Sequence, residues 1–364
     1  MSSQPILRIE DLRTYFHSRV KQAFVRSVDG VDLEVAQGET LGVVGESGSG
    51  KSVTMLSAMG LVSAQPGIVT GRVVFDDGTP RELLEGLGRH VALERRDGRI
   101  MGVEKDERGW RAQAERNLTG VRGRRIAMIF QNPKAAMNPF ETIGRQIAET
   151  VRLHTGVKTA HEARERAIHW LGEVRIDSPR LRYDNHPHGL SGGMCQRAMI
   201  AMALAAEPRL LIADEPTTGL DATIQARIVD LLAELRERLG MTMVLISHDI
   251  GVIVRLSDRV AVMYGGRVME SGPAAEVLTE GGGGHPYTQA LLASIPQERN
   301  LREKGRLPAI EGEVLDTINV PRGCRFRERC QRIHDSVRAR CEEHEPELAE
   351  VSPGRRVRCW LYQA

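Results

Sequence analysis

The sequence predicts an α/β fold, with a mostly parallel sheet covered by helices on both faces and a small cysteine-bearing segment after it. Three observations carry this. Short apolar runs alternate with helical stretches, the pattern of βαβ units. A glycine-rich loop ending in Lys-Ser joins one apolar run to a helix. After about residue 281 the chain turns rich in Arg, Pro and Cys and has no long periodic segment. A chain of 364 residues can hold one large domain and an appendage.

In chain order, ILRIEDLRTYF and VRSVDGVDLEVAQGE alternate apolar and polar residues between turn residues and predict strands. LGVVG, from Leu41 to Gly45, predicts a short buried parallel strand, and KSVTMLSAMGLV a helix after it. Residues 76–123 lose the pattern. The stretch RRDGRIMGVEKDERGWRAQ is charged and aperiodic, and predicts a surface insertion, a solvated loop or loose hairpin without assigned function. RIAMIF (Arg125 to Phe130), LLIAD (Leu210 to Asp214) and TMVLIS (Thr242 to Ser247) predict three more buried strands. Residues 132–200 predict a mainly helical subdomain, with acid–base pairs as in HEARERAIHWLGEV. The run GGGGHP divides residues 1–280, the main domain, from residues 281–364, a C-terminal domain.

Composition narrows the function. The formal charge of +2 gives no strong global field, and aromatics at 4% leave few stacking platforms, so a nucleic-acid partner is not expected. The longest apolar run, Ala198 to Ala206, is far short of the roughly 20 residues a spanning helix needs. The start MSSQPILRIEDLR lacks the features of a signal peptide. The expected location is the cytoplasm, with any membrane role exercised through another protein.

Gly45-Glu46-Ser47-Gly48-Ser49-Gly50-Lys51-Ser52 fits G-x-x-x-x-G-K-[ST], after an apolar strand and before a helix. The glycines let backbone N–H groups converge on phosphate oxygens, and the helix N-terminus adds partial positive charge. Lys51 can reach the β- and γ-phosphates, and the Ser52 hydroxyl suits Mg²⁺. The flanking strand and helix argue against a chance glycine-rich turn. Asp214 ends the LLIAD strand and Glu215 follows. One carboxylate there can serve Mg²⁺ and the next can activate water. Alone they would read as surface acids.

Leu190-Ser191-Gly192-Gly193-Met194 precedes the helical stretch CQRAMIAMALAAEP. At this point the sequence resembles the ABC ATPase family, whose signature LSGGQ opens a helix, with Met194 in place of the usual Gln. The resemblance implies an ABC nucleotide-binding fold, with a RecA-like core, an N-terminal antiparallel β part and the helical subdomain. It implies that Ser191, Gly192 and Gly193 complete the ATP site of a partner subunit in a head-to-tail dimer. Gln131 matches the loop glutamine that senses Mg²⁺, Asp221 in TTGLD the D-loop, and His248 in LISHD the switch histidine. Phe16 matches the aromatic that stacks on adenine, with Tyr15 adjacent. Glu215, His248 and Gln131 are the implied catalytic residues; Ser52, Gln131 and Asp214 the implied Mg²⁺ set.

IAMIFQNPKAAMNPFETIGRQI, HPHGLSGGMCQRAMIAMALAAEPRLLIADEPTTGLD and HPYTQALLASIP (His285 to Pro296) resemble the oligopeptide/dipeptide importer subfamily, its D-type ATPase in particular. The resemblance implies a second, non-identical ATPase, two transmembrane permease subunits, an extracytoplasmic binding protein, and a peripheral place on the cytoplasmic face of the inner membrane. Nickel, oligosaccharide and opine importers share the motifs. A soluble ABC ATPase of DNA repair or translation is the alternative from another class; such proteins usually carry coiled coils or tandem cassettes, absent here.

Cys324, Cys330, Cys341 and Cys359 are spaced too loosely for a zinc ribbon. Four thiolates can still hold a [4Fe–4S] cluster or Zn²⁺; free or disulfide-bonded cysteines are the third reading. The tail resembles the iron–sulfur C-terminal domain of peptide-importer ATPases. Arg325, Arg327, Arg329 and Arg332 are expected to offset a cluster's charge. Cys195 reads as a buried small side chain.

Overall fold

The computed structural model describes residues 4–18, 20–21, 23–62, 67–96, 99–279, 281–294 and 310–363. Ile295 and Pro296, which end the HPYTQALLASIP stretch, lie outside these residues, as do Asp97 and Gly98 of the insertion. The chain divides into two compact units. One is built from Ala36–Thr40 and Leu118–Ile246, the other from Pro5–Val35, Leu41–Asn117 and Ser247 onward.

In the first unit, strands Ile126–Ile129 and Thr242–Ile246 flank Leu210–Asp214, and both pairings are parallel. Every residue of Leu210–Asp214 and Thr242–Ile246 is buried, which is why these strands read as unbroken apolar runs. Helix Ala222–Leu239 crosses between these two strands. It starts on Asp221, whose carboxylate accepts from the Ile224 N–H at 3.0 Å, and stops at Gly240 in the left-handed conformation.

Three helices of this unit begin where the chain supplies a capping oxygen. Thr142 caps Ile143–His154, Thr159 caps Ala160–Glu173, and Ser191 caps Gly192–Leu204. The three pack on one another. Ile147, Val151, Ala163, Ala167 and Leu171 supply the apolar stripes that the contact buries.

In the second unit, Pro5–Ser18 pairs antiparallel with Gly67–Asp76, from Leu7 opposite Phe75 to Phe16 opposite Gly67. Ala23–Ala36 lies on its other side. A separate ladder runs from Thr40–Val44 to Arg259–Tyr264, then antiparallel to Arg267–Pro273, Arg355–Val357 and Ala349–Ser352. The C-terminal tail therefore extends a ladder begun by the strand before the phosphate loop.

The insertion is more ordered than its charge pattern predicts. Val91–Arg96 and Arg99–Lys105 form a hairpin and Glu107–Leu118 a helix. Leu83, Leu87, Trp110, Ala114 and Leu118 are buried, and Val91, Leu93 and Val103 pack on Tyr15, Phe24 and Ile68. The apolar positions are few and widely spaced among charges. A long polar stem also shares the burial, since Lys105 Nζ lies 4.1 Å from the Trp110 ring centroid.

Buried ion pairs anchor the tail. The fully buried Glu270 carboxylate accepts from the N–H groups of Gly284 and His285 and from Arg355. Arg325, 4% exposed, donates to Asp29 at 2.6 Å, to Glu345 at 2.8 Å and to the Gly265 carbonyl. Asp29 also accepts from Tyr15 Oη and Arg13. Burial alone would push the Asp29 carboxyl up. The charge of Arg325 and the hydrogen bonds from Tyr15 and Arg325 outweigh it and hold the group at about 2. Because the folded value lies below the unfolded one, this stabilisation is full above about pH 4 and is lost as pH falls toward 2. Asp29→Asn, which removes one of the two carboxylates paired with the buried Arg325, should cost about 2 kcal/mol at pH 7. In denaturation curves taken from pH 7 to pH 2, the gap between the two proteins should narrow below pH 4.

Candidate functional site

The predicted site residues fall in both units. In the second unit, the buried strand Thr40–Val44 runs into the loop Gly45–Gly50, and Lys51 opens helix Lys51–Ala58. A Cβ on Gly45 would lie 2.1 Å from the Met263 carbonyl oxygen, at a φ of +150. Only glycine fits there, and its absent side chain is what lets the loop lie against the neighbouring strand. Lys51 is 6% exposed; its ammonium donates to the Gly45 carbonyl at 2.8 Å and the Glu46 carbonyl at 3.0 Å. Ser49 is buried and Ser52 half-buried beside it.

Strand alternation puts the two aromatics on opposite faces. Thr14 Oγ1 lies 2.7 Å from Ser57 Oγ, on the helix that the phosphate loop opens. Phe16, two residues on, faces the same side and is half-buried. Tyr15 faces the other side, buried with Phe24 and Ile68, its hydroxyl committed to Asp29. His248 is exposed, ahead of helix Ile250–Leu256, which Asp249 caps through the Gly251 N–H at 2.9 Å.

In the first unit, Asp214 ends its strand 5% exposed. Glu215 has a φ of +48, in the left-handed region, and its N–H donates to the Ile246 carbonyl at 2.9 Å. Such a conformation costs a non-glycine residue about 1–3 kcal/mol and persists only where surroundings impose it. Its carboxylate is oriented by two donors, Gln131 Nε2 at 2.6 Å and Thr218 Oγ1 at 2.9 Å. The sequence reading named Gln131 and Glu215 separately and missed Thr218.

Ser191, Gly192, Gly193, Asp221, Arg197 and Arg227 line an open groove of about 470 Å³. Ser191 Oγ accepts from the Met194 N–H at 3.3 Å. A Cβ on Gly193 would meet Ile224 Cγ2 at 2.7 Å, so glycine permits the starts of the two helices to approach. Cys195 is fully buried, its thiol directed to the Pro187 carbonyl at 3.2 Å, as the sequence suggested.

The tail departs from expectation. Cys324, Cys330, Cys341 and Cys359 line one cavity with His285 and Phe326, but its volume is about 10 Å³, hardly space for one water. Among the described residues no group of three or more His, Cys, Asp or Glu could hold a metal ion. Burial pushes the Cys324 thiol up to about 12 and that of Cys359 up to about 11. The expected [4Fe–4S] cluster, and Zn²⁺ in its place, thus find no ligand set among the described residues. Nor do the arginines serve a cluster. Arg325 pairs with Asp29 and Arg329 with Glu46, while Arg327 donates to the Glu342 carbonyl and Arg332 to Gln289. Cysteine spacing and nearby positive charge cannot distinguish a cluster site from an apolar thiol core with arginines aimed elsewhere.

Comparison with known proteins gives the family. The ABC transporter model matches residues 28–218, and the model for the oligopeptide/dipeptide transporter C-terminal region matches residues 269–336. A probable peptide ABC transporter ATP-binding protein of Sinorhizobium fredii is 42% identical over 365 residues, covering 99% of this chain and 97% of that one. A putative peptide import ATP-binding protein of Brucella abortus is 41% identical, covering 100% and 99%. The oligopeptide transport ATP-binding protein AppD of Bacillus subtilis is 40% identical, covering 98% and 97%. Among solved structures, a bacterial ABC transporter cassette determined as a dimer superposes with a TM-score of 0.55 at 26% identity, covering 74% of this chain and 98% of that one. With the phosphate loop, the signature helix and the oriented Glu215 in sequence order, the chain belongs to the ABC transporter family of ATP-hydrolysing subunits, in the branch that carries the oligopeptide/dipeptide transporter C-terminal region.

Proposed function

We propose that this ATPase powers the import of peptides, at the cytoplasmic face of the inner membrane, with two permease subunits and an extracytoplasmic binding protein. Relatives named for peptide import match along essentially the whole length, insertion and tail included. Among the described residues no helix is long and apolar enough to cross a membrane, so the transport path belongs to other chains. Residues 1–280 form the ATPase domain in this reading and residues 281–364 a C-terminal regulatory domain.

The roles follow from chemistry. Lys51 and the loop from Gly45 through Ser47, Gly48, Ser49 and Gly50 to Ser52 bind the phosphates of ATP, and Phe16 stacks on the base. Ser52, Gln131 and Asp214 are oxygen donors, the kind Mg²⁺ prefers; bound there, the ion neutralises phosphate charge. Glu215 takes the proton of the attacking water, and His248 contacts the γ-phosphate. The observation that carries the catalytic assignment is the left-handed Glu215, its carboxylate held by Gln131 and Thr218. The signature groove offers helix N–H groups and arginines but no lysine, which suits the γ-phosphate of a nucleotide held by another ATPase subunit, here a non-identical one. Asp221 lies beside it at the dimer contact.

Three measurements test this. In the reconstituted transporter, Glu215→Gln should lower ATP turnover at this site by about 10²–10⁴-fold while MgATP still binds; near-normal turnover removes Glu215 as base. Thr218→Val, which takes one of its two donors, should lower kcat about tenfold with little change in KM. Phe16→Ala should weaken ATP binding about tenfold, and Tyr15→Phe should not, with titration calorimetry as the readout.

A further inference from the structure

The second residue of the phosphate loop is held by the C-terminal segment. The Glu46 N–H donates to Tyr287 Oη at 2.9 Å. Its carboxylate takes a parallel pair of bonds from Arg329, Nη1 to Oε2 at 2.6 Å and Nη2 to Oε1 at 3.0 Å, the bidentate geometry that fixes direction as well as distance. Arg329 is 8% exposed. Its remaining donors reach the Glu311 carbonyl at 3.1 Å, the Ile310 carbonyl at 3.2 Å and Tyr264 Oη at 3.4 Å. All five guanidinium N–H groups are thus committed, so the fork cannot turn without stranding a buried donor. Tyr264, Tyr287 and Phe326 form the aromatic wall around it, with ring centroids 4.7 to 5.3 Å apart.

We propose that Arg329 and Tyr287 are positioning residues for ATP binding, acting through Glu46 to set the backbone of the phosphate loop. This rests on the assignment of Gly45–Ser52 as that loop. The path is short. Glu46 is gripped at its N–H and at its side chain, and its carbonyl, with that of Gly45, is the group that holds the Lys51 ammonium. Releasing Glu46 frees the peptide that Lys51 leans on, so the loop must be ordered at the expense of binding. The C-terminal segment is then part of the ATP site's construction, and its attachment is specific to a loop with Glu at this position. Lysine at position 329 would keep the charge but lose the fork.

The test uses the full-length chain, titrated with MgATP, and the same variants in the reconstituted transporter. Arg329→Gln and Glu46→Gln should each raise the Kd and KM for ATP about tenfold, with kcat falling no more than about threefold, and the double variant should be no worse than the worse single one. Arg329→Lys should recover part of the loss. A Kd unchanged in the single variants, with only the melting temperature lowered, would show a purely structural pair and overturn the proposal; so would a double variant whose effect is the product of the singles. Should Arg329→Gln fail to fold, Glu46→Gln and Tyr287→Phe still decide, because unchanged Kd values in both would sink it. Lys51→Ala serves as control: retained MgATP binding there would remove the loop assignment itself, a separate failure.

Discussion

A loop suited to phosphate must keep several N–H groups pointing outward, so it cannot hold its own shape through regular secondary structure. Much of what fixes it has to come from neighbours. Here the Gly45 backbone lies against the Met263 carbonyl, the Lys51 ammonium ties two loop carbonyls, and Glu46 is held by Tyr287 and Arg329. The first of these belongs to the strand ladder, the second to the loop, and the third to the tail. The phosphate loop is thereby the point on which the second unit converges.

The same logic explains why buried charge is concentrated in the tail. Asp29, Glu46 and Glu270 are carboxylates in or near the N-terminal strands, the loop and the ladder, and the tail supplies Arg325, Arg329 and Arg355 to them. Desolvating such pairs is costly, and apolar contacts of the same size would stabilise as well. What ion pairs give is direction. Among the described residues of the tail no α-helix exceeds 9 residues, and three charge pairs that accept one arrangement seat it.

How legible this was depends on which physical property each part relies on. Strands such as Leu210–Asp214 are buried on both faces, so their apolar runs are unambiguous. The phosphate loop is written in residue types with no substitutes, since Gly45 has no space for a Cβ. Glu46 sits at a position the motif leaves open, so nothing in the pattern marked it. Arg329 could be read only as one of several arginines near cysteines, because charge pairing across 283 residues leaves no local trace. The insertion was read as loose because its buried positions are spaced irregularly. Which face of the first strand meets the helix after the loop could not be read from alternation alone; the Thr14–Ser57 contact gives it.

Glu215 shows how the acidic site depends on shape more than on composition. The ordinary extended conformation that follows a buried strand would continue its alternation of faces. A left-handed residue instead turns the chain at once, and puts the carboxylate within reach of both Gln131 and Thr218. Both donors reach the same carboxylate oxygen, Oε2. A carboxylate whose direction is fixed in this way suits the water-activating role proposed for Glu215. Strain in the backbone and hydrogen bonds in the side chain therefore serve one end, and removing either should disturb the same atom.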